Sequence, residues 1–213
     1  MPLHGLPLTF SDLAASLADH PPADIPASGL TPAAVALILR EGGEGLEVLF
    51  IERASHDGDP WSGDLGFPGG KIEPGDAGPR AAAERETWEE LGLDLAAARC
   101  LGRLADIAGA HVPIRVSCFV YGLAGNPPLM PGGEVRDVFW VPLADLRDPV
   151  RHTAAAVSFD GEAFERPAIL LPAEGKPVLW GLTYRLIMQF LAVAAGGCGP
   201  EGGMVGGEIE GNG

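Results

Sequence analysis

Apolar positions in this chain follow two rhythms, short continuous runs and stripes one helical turn apart. Leu13 and Leu17 lie one turn apart behind Ser11, an N-cap residue type, and predict a short helix over 11–19 that ends at His20-Pro21-Pro22. The Pro-rich stretch to Pro26 reads as a linker. Thr31-Pro32 then opens 33–40, an almost purely apolar run of the kind found in a buried strand. A Gly-rich turn over 41–45 leads to a second run, 46–53, and the two predict a hairpin.

Residues 54–84 break this rhythm with Gly, Pro and Asp before a helix predicted over 79–91. Ala81, Ala82 and Ala83 supply its propensity, and Gly92 stands where a C-cap glycine belongs. Strands follow at 100–107, 115–122 and 135–141, the last leading through Pro142 into a turn over 143–146. Residues 157–171 read as a hairpin around Asp160-Gly161. In 179–194, Leu182, Leu186, Phe190 and Val193 recur at three and four residues, so one face of a last helix packs on the body. Trp140 and Trp180 fall in apolar patterns and are expected in the core.

Beyond Gly196 the chain is mostly Gly, Glu and small residues, a composition that cannot bury a core. Three parts are therefore expected: a helix and linker over 1–29, a domain over 30–195, and a disordered tail over 196–213. Strands mixed with two good helices predict an α+β or α/β sandwich. The longest apolar helical stretch, 186–195, is interrupted by Gln189 and falls short of the ~20 residues that cross a membrane.

Charge narrows the classes of partner. Fourteen Lys and Arg stand against 29 Asp and Glu, a formal net charge of -15. That balance argues against nucleic acid and against a membrane surface. A small phosphorylated substrate remains compatible, because a bound cation reverses the sign of an acidic cleft. Cys100, Cys118 and Cys198 are odd in number and scattered, and residues 1–10 lack the layout of a signal peptide, so a cytoplasmic home is expected.

The candidate chemistry lies in the 79–91 helix. Glu86, Glu89 and Glu90 are spaced i, i+3, i+4 and project from one face. Alone, such a cluster is most often a solvated face. Its carboxylates repel one another, however, and a hard, oxygen-seeking ion such as Mg²⁺ or Mn²⁺ would relieve the conflict. Just upstream runs Phe67-Pro68-Gly69-Gly70-Lys71-Ile72-Glu73-Pro74-Gly75-Asp76, a loop whose glycines let backbone approach a ligand.

Gly70 through Leu93 resembles the box of the Nudix hydrolases, G-x5-E-x7-R-E-U-x-E-E-x-G-U. Gly70, Arg85, Glu86, Glu89, Glu90, Gly92 and Leu93 fall on its fixed positions. Asp76 stands in place of a Glu, eight residues rather than seven separate it from Arg85, and Thr87 fills the aliphatic slot. The resemblance implies an α/β/α sandwich around a mixed β-sheet and metal-dependent hydrolysis of a nucleoside diphosphate linked to another moiety. By position, Glu86 and Glu90 would bind Mg²⁺ or Mn²⁺, with the Gly69 carbonyl completing the shell. Glu89 would bind a further ion or orient the attacking water. Arg85 would pair with a loop carboxylate such as Asp76. The general base is either Glu89 or Glu134, the latter in the loop Pro131-Gly132-Gly133-Glu134. Many members of the family dimerise, which makes a homodimer one expected state.

Residues 49–70 partly resemble a second motif, found in the coenzyme A diphosphatase branch. Arg53-Ala54 and Gly63-x3-Phe67-Pro68-Gly69-Gly70 match, whereas Gly58 replaces that motif's second Arg. Leu179-Trp180-Gly181-Leu182-Thr183 is also similar to that branch. Coenzyme A or an acyl derivative is thus the leading substrate. ADP-ribose, NADH, dinucleoside polyphosphates and a catalytically silent nucleotide-sensing role are the alternatives. Arg53, Gly70, Lys71 and Arg115 are candidate substrate contacts, and Trp61 is placed to stack on a base. No nucleophile motif is present, so the expected chemistry is attack by water.

Overall fold

The computed structural model describes residues 8–26, 28–55, 61–110, 112–159 and 162–196. The predictions made at Gly58, Cys198 and the tail beyond Gly196 lie outside them. Helix α1 (Phe10–Asp19) precedes a hairpin of β1 (Thr31–Gly42) and β2 (Gly45–Arg53). Two short strands, β3 (Leu65–Gly66) and β4 (Gly69–Lys71), lead into α2 (Pro79–Leu91). Then come β5 (Arg99–Arg103), β6 (Ile107–Ala108), β7 (Ile114–Gly122) and β8 (Val135–Pro142). The chain finishes with α3 (Leu143–Arg147), a hairpin of β9 (His152–Phe159) and β10 (Glu162–Ile169), and α4 (Gly181–Ala194).

Strand β1 is the spine of a mixed sheet. It runs parallel to β7 from Thr31↔Ile114 to Leu39↔Gly122, and antiparallel to β2 only over residues 39–42. Below Leu39 the two hairpin strands separate. Segment 65–71 fills the gap, pairing first with β2 through β3 (Ile51↔Gly66) and then with β1 through β4 (Val35↔Gly69, Ala33↔Lys71). Strand β8 covers the far side of β2, and β5 and β6 cover β7. The β9–β10 hairpin forms its own two-stranded sheet.

The period-two alternation of β1 builds a core on each face. Leu37 and Leu39 join Phe50, Val120, Leu186 and Phe190 beneath α1 and α4. Ala36 and Ile38 join Leu49, Ile51, Ala83 and Leu91 beneath α2. That arrangement is the predicted sandwich around a mixed sheet. Among the described residues no helix is long and apolar enough to cross a membrane.

Several boundaries move for physical reasons. Helix α1 is capped by Thr9 rather than Ser11, because Thr9 Oγ1 accepts the Asp12 N–H while the Asp12 carboxylate accepts the Thr9 N–H at 2.9 Å. Leu13 and Leu17 of this helix are buried against β5 and α4, so the leading segment shares the core of the domain. The strand predicted over 100–107 splits into β5 and β6. The turn over 143–146 is a short helix. Trp140 and Trp180 are half-buried instead of core: Arg40 lies over the Trp140 ring at 4.2 Å, and Trp180 Nε1 donates to Asp64 at 2.9 Å.

Candidate functional site

Helix α2 presents a stripe of Ala82, Ala83, Thr87, Glu90 and Leu91 to the sheet. Small side chains at its start let the helix lie close to β1 and β4. Thr87, in the slot expected to hold a bulky aliphatic residue, satisfies its buried hydroxyl by donating to the Ala83 carbonyl at 2.7 Å. Gly92, at φ 62°, ends the helix, and its N–H returns to the Trp88 carbonyl. Two further carbonyls of the last turn are taken by the following loop, with Met130 N–H on Leu91 and Gly132 N–H on Glu90. That tie brings Glu134 to the end of the helix.

Against the other side of α2 lies the glycine turn. Bonds at Ala36–Pro68 and Ile72–Pro32 mark the hydrogen-bonded pairs of the β1–β4 ladder, so Val35↔Gly69 is a non-bonded pair. The Gly69 N–H and carbonyl therefore turn away from β1, and the N–H donates to Glu90 Oε2 at 2.9 Å. A Cβ on Gly69, where φ is +152°, would lie 2.4 Å from the Ala34 carbonyl oxygen. One on Gly70 would lie 2.4 Å from Glu86 Oε1. Gly69 is thus demanded by the backbone of β1, and Gly70 by the close approach of the Glu86 carboxylate.

Arg85 locks the turn to the helix with two parallel bonds to Asp76, Nε to Oδ1 at 3.0 Å and Nη2 to Oδ2 at 3.1 Å. The extra residue in the loop thus leaves Asp76 within reach. These bonds, with the Glu73 N–H, hold the Asp76 carboxyl below its ordinary range. Arg85 Nη1 also contacts Glu86 Oε1 at 2.9 Å and Glu89 Oε2 at 3.0 Å.

Glu90 is 5% exposed, and burial pushes its carboxyl up to about 7. The Gly69 N–H and the charge of Arg53 work against that rise, whereas the carboxylates of Glu86 and Glu134 add to it. Glu86 is raised as well, by burial first and then by Glu89 and Glu134, with Arg85 opposing. Glu86, Glu90 and Glu134 therefore share one electrostatic neighbourhood, in which Arg85 and Arg53 oppose the rise without cancelling it. Glu89 is different: its side chain is 54% exposed and tied to Arg85. Among the described residues no three His, Cys, Asp or Glu side chains converge to enclose an ion. Of the trio expected from the sequence, Glu90 is buried and Glu86 half-buried, while Arg85 draws Glu89 aside and Glu134 joins from the loop. These donors fit a hard divalent cation, being carboxylate and carbonyl oxygens around a group whose ionisation the site opposes.

Beside the turn opens a cavity of about 500 Å³. Gly69, Gly70, Lys71, Arg53 and Trp61, five of the residues expected at the site, line it. Three of these connect it to the carboxylates: Gly69 bonds Glu90, Gly70 abuts Glu86, and Arg53 stabilises ionised Glu90. Val35, Ile114, Val116, Leu182 and Leu186 give the cavity an apolar flank. Arg115 corrects the sequence reading: it is absent from the lining. Its Nη1 donates to the Ile25 carbonyl at 3.0 Å and its Nε lies 3.8 Å from buried Asp106, where it pins the linker.

Sequence reasoning missed the wall opposite the turn. Trp180 reaches Asp64, Thr183 Oγ1 donates to the Leu65 carbonyl at 3.0 Å, and Phe164 and Arg166 of β10 face the same space. The similarity of 179–183 to a known branch was the available signal for the first two. An arginine on the inward register of a short hairpin was the signal for the last.

A family model described as NUDIX domain matches residues 29–160, more than half the chain. The human mitochondrial coenzyme A diphosphatase NUDT8 is 37% identical over 105 residues, which are 46% of this chain and 43% of that protein. Mitochondrial Nudix hydrolase 15 of Arabidopsis thaliana is 29% identical over 76% of this chain and 58% of its own length. The chain spans between 33% and 58% of the length of the curated relatives it matches. Among solved structures, a MutT/nudix family protein from Enterococcus faecalis superposes with a TM-score of 0.51 at 19% identity, over 78% of this chain and 60% of that one.

Proposed function

From the premise that this chain belongs to the Nudix hydrolase family, we propose that it hydrolyses the diphosphate bond of a nucleoside diphosphate derivative, with coenzyme A or an acyl-coenzyme A as the leading substrate. One observation carries the reading: Glu90, buried beside Glu86 against the glycine turn, opens through Gly69 and Gly70 onto a cavity of substrate size. Glu86, Glu90 and the Gly69 carbonyl would hold Mg²⁺ or Mn²⁺. When bound, such an ion supplies neutralisation of the diphosphate charge and acidifies a coordinated water.

The chain's own residues do the rest. Lys71 and Arg53 meet the diphosphate oxygens at the mouth of the turn, and Trp61 offers a ring to the base. Glu134, whose charge already bears on Glu86 and Glu90, accepts the proton of the attacking water. Glu89 stays with Arg85, the residue that locks the helix to the turn through Asp76. Water oxygen bonds to phosphorus as the bridging P–O bond breaks, so coenzyme A would yield 3′,5′-ADP and 4′-phosphopantetheine.

The substrate rests on three supports. The sequence matches at Arg53-Ala54 and at Gly63-x3-Phe67-Pro68-Gly69-Gly70 belong to that branch. The human relative carries that activity in its name. The apolar flank of the cavity suits the aliphatic arm of coenzyme A. Free Cys100 and Cys118 support a reducing compartment such as the cytoplasm.

The test is product chromatography on coenzyme A with Mg²⁺ or Mn²⁺. Glu90→Gln should fold, yet lose turnover by about 10²-fold or more, in line with the loss of a group that stabilises transition-state charge. Wild-type turnover that persists in excess chelator would overturn the proposal.

A further inference from the structure

Most cations of this acidic chain hold a carboxylate. Arg40 is paired with Glu47, Arg80 with Glu84, Arg103 with Asp106, Arg136 with Glu52 and Arg151 with Asp145. Arg166 breaks that habit. Among the described residues its polar contact is Nη1 to the adjacent Glu165 carbonyl at 3.1 Å, and its guanidinium lies 4.9 Å from the Phe164 ring centroid. Both residues line the cavity.

Its register makes the absence of an anion informative. In β10, Phe164, Arg166 and Ala168 alternate with exposed Ala163, Glu165 and Pro167, and they lie opposite Val157, Ala155 and Thr153 of β9. Phe164 and Arg166 are half-buried, and Ala168 and Val157 are buried. Alternation calls for an apolar residue at position 166, and a charge there loses hydration with no carboxylate among the described residues to offset it. The Phe164 ring and the Glu165 carbonyl hold the guanidinium in the wall and leave its remaining N–H donors for the cavity. Among the described residues Lys71 and Arg185 line the same space without carboxylate partners, and the lining sets four cations (Arg53, Lys71, Arg166 and Arg185) against the single carboxylate of Asp64, in a protein of net charge -15. The hairpin strand that carries Arg166 lies beyond residues 29–160, so the family match does not account for it.

We infer that Arg166 is a specificity-determining residue: it pairs with a second anionic group of the substrate, a phosphomonoester on the ribose, held apart from the diphosphate that is cut. The inference rests on the proposed reaction and narrows its substrate to nucleotides that carry this extra phosphate. A planar fork of donors suits the two free oxygens of a phosphomonoester.

The test compares molecules that differ by that group alone. Calorimetric binding of 3′,5′-ADP and of 5′-AMP needs no turnover. Wild-type protein should bind 3′,5′-ADP more tightly, and Arg166→Ala should narrow the gap by roughly 10–100-fold, the range for hydrogen bonds to charged groups, while binding of 5′-AMP stays unchanged. Arg166→Lys should keep part of the gap. In turnover, Arg166→Ala should raise KM for coenzyme A, spare kcat, and leave dephospho-coenzyme A unaffected. Equal losses on both members of a pair would put the guanidinium on the shared phosphate and overturn the inference. So would no loss on either, or wild-type protein that binds neither nucleotide. Failure to hydrolyse coenzyme A would refute the reaction proposed above, and the binding pair would still decide Arg166.

Discussion

Glu90→Gln tests whether the buried carboxylate stores the electrostatic tension that a cation would release. In the unfolded chain this glutamate ionises near its ordinary value of 4.5; in the native site it keeps its proton up to about 7. Between those values the folded protein holds the extra proton. The stability that the protonated group contributes is therefore fully present below 4.5 and is lost as pH rises through 7. That interval corresponds to on the order of 3 kcal/mol. The figure needs little discount for solvent, because Glu90 is 5% exposed. Gln is a fair mimic of the protonated acid: its carbonyl still accepts the Gly69 N–H, and its amide donates as the acid's hydroxyl would. Urea melts in chelator should show the two proteins equally stable near pH 4.5. The variant should lead by on the order of 3 kcal/mol at pH 8, where the wild type carries the buried charge. Added Mg²⁺ or Mn²⁺ should restore the wild type and leave the variant unmoved. Stability curves that run parallel from pH 4.5 to 8 would refute the reasoning.

Two glycines side by side should fail differently. Gly69→Ala puts a Cβ 2.4 Å from the Ala34 carbonyl oxygen at a positive φ, against backbone that cannot yield, so it should destabilise the fold by on the order of 3 kcal/mol in a urea melt. Gly70→Ala meets the tip of Glu86, a flexible side chain, so thermal stability should hold while turnover falls at least ten-fold. Leu13→Ala should cost ~2–5 kcal/mol by denaturant melt, because that side chain is fully buried between α1 and the body; a cost near zero would make the leading helix an appendage.

The candidate residues were legible because their spacing is local. Three glutamates within one helix and a glycine turn a few residues upstream fix their own geometry, and α2 and Gly92 fall where periodicity and capping place them. The β1–β2 hairpin and the β9–β10 hairpin were legible for the same reason. Relations between distant segments were not. Arg115 opens a correctly predicted strand, yet its direction depends on Asp106 and on the Ile25 carbonyl across the fold. Trp180 looked like core because its neighbours are apolar, and Asp64, 116 residues away in sequence, draws it into the cavity wall. Glu89 looked equivalent to Glu86 and Glu90 by period alone. Its contact with Arg85 and its position on the outer side of the helix separate it from them.

The way segment 65–71 threads the splayed hairpin gives the molecule an asymmetric construction. The glycine turn is stitched into the main sheet by ladder bonds on both flanks, so the backbone that meets Glu90 is held as firmly as the core. Among the described residues the β9–β10 ribbon, though packed on the core through Ile169, shares no ladder with that sheet. Side chains on the ribbon can be exchanged without breaking a hydrogen bond of the main sheet. On the proposed reading, changes in a single hairpin would suffice to alter what the cavity admits.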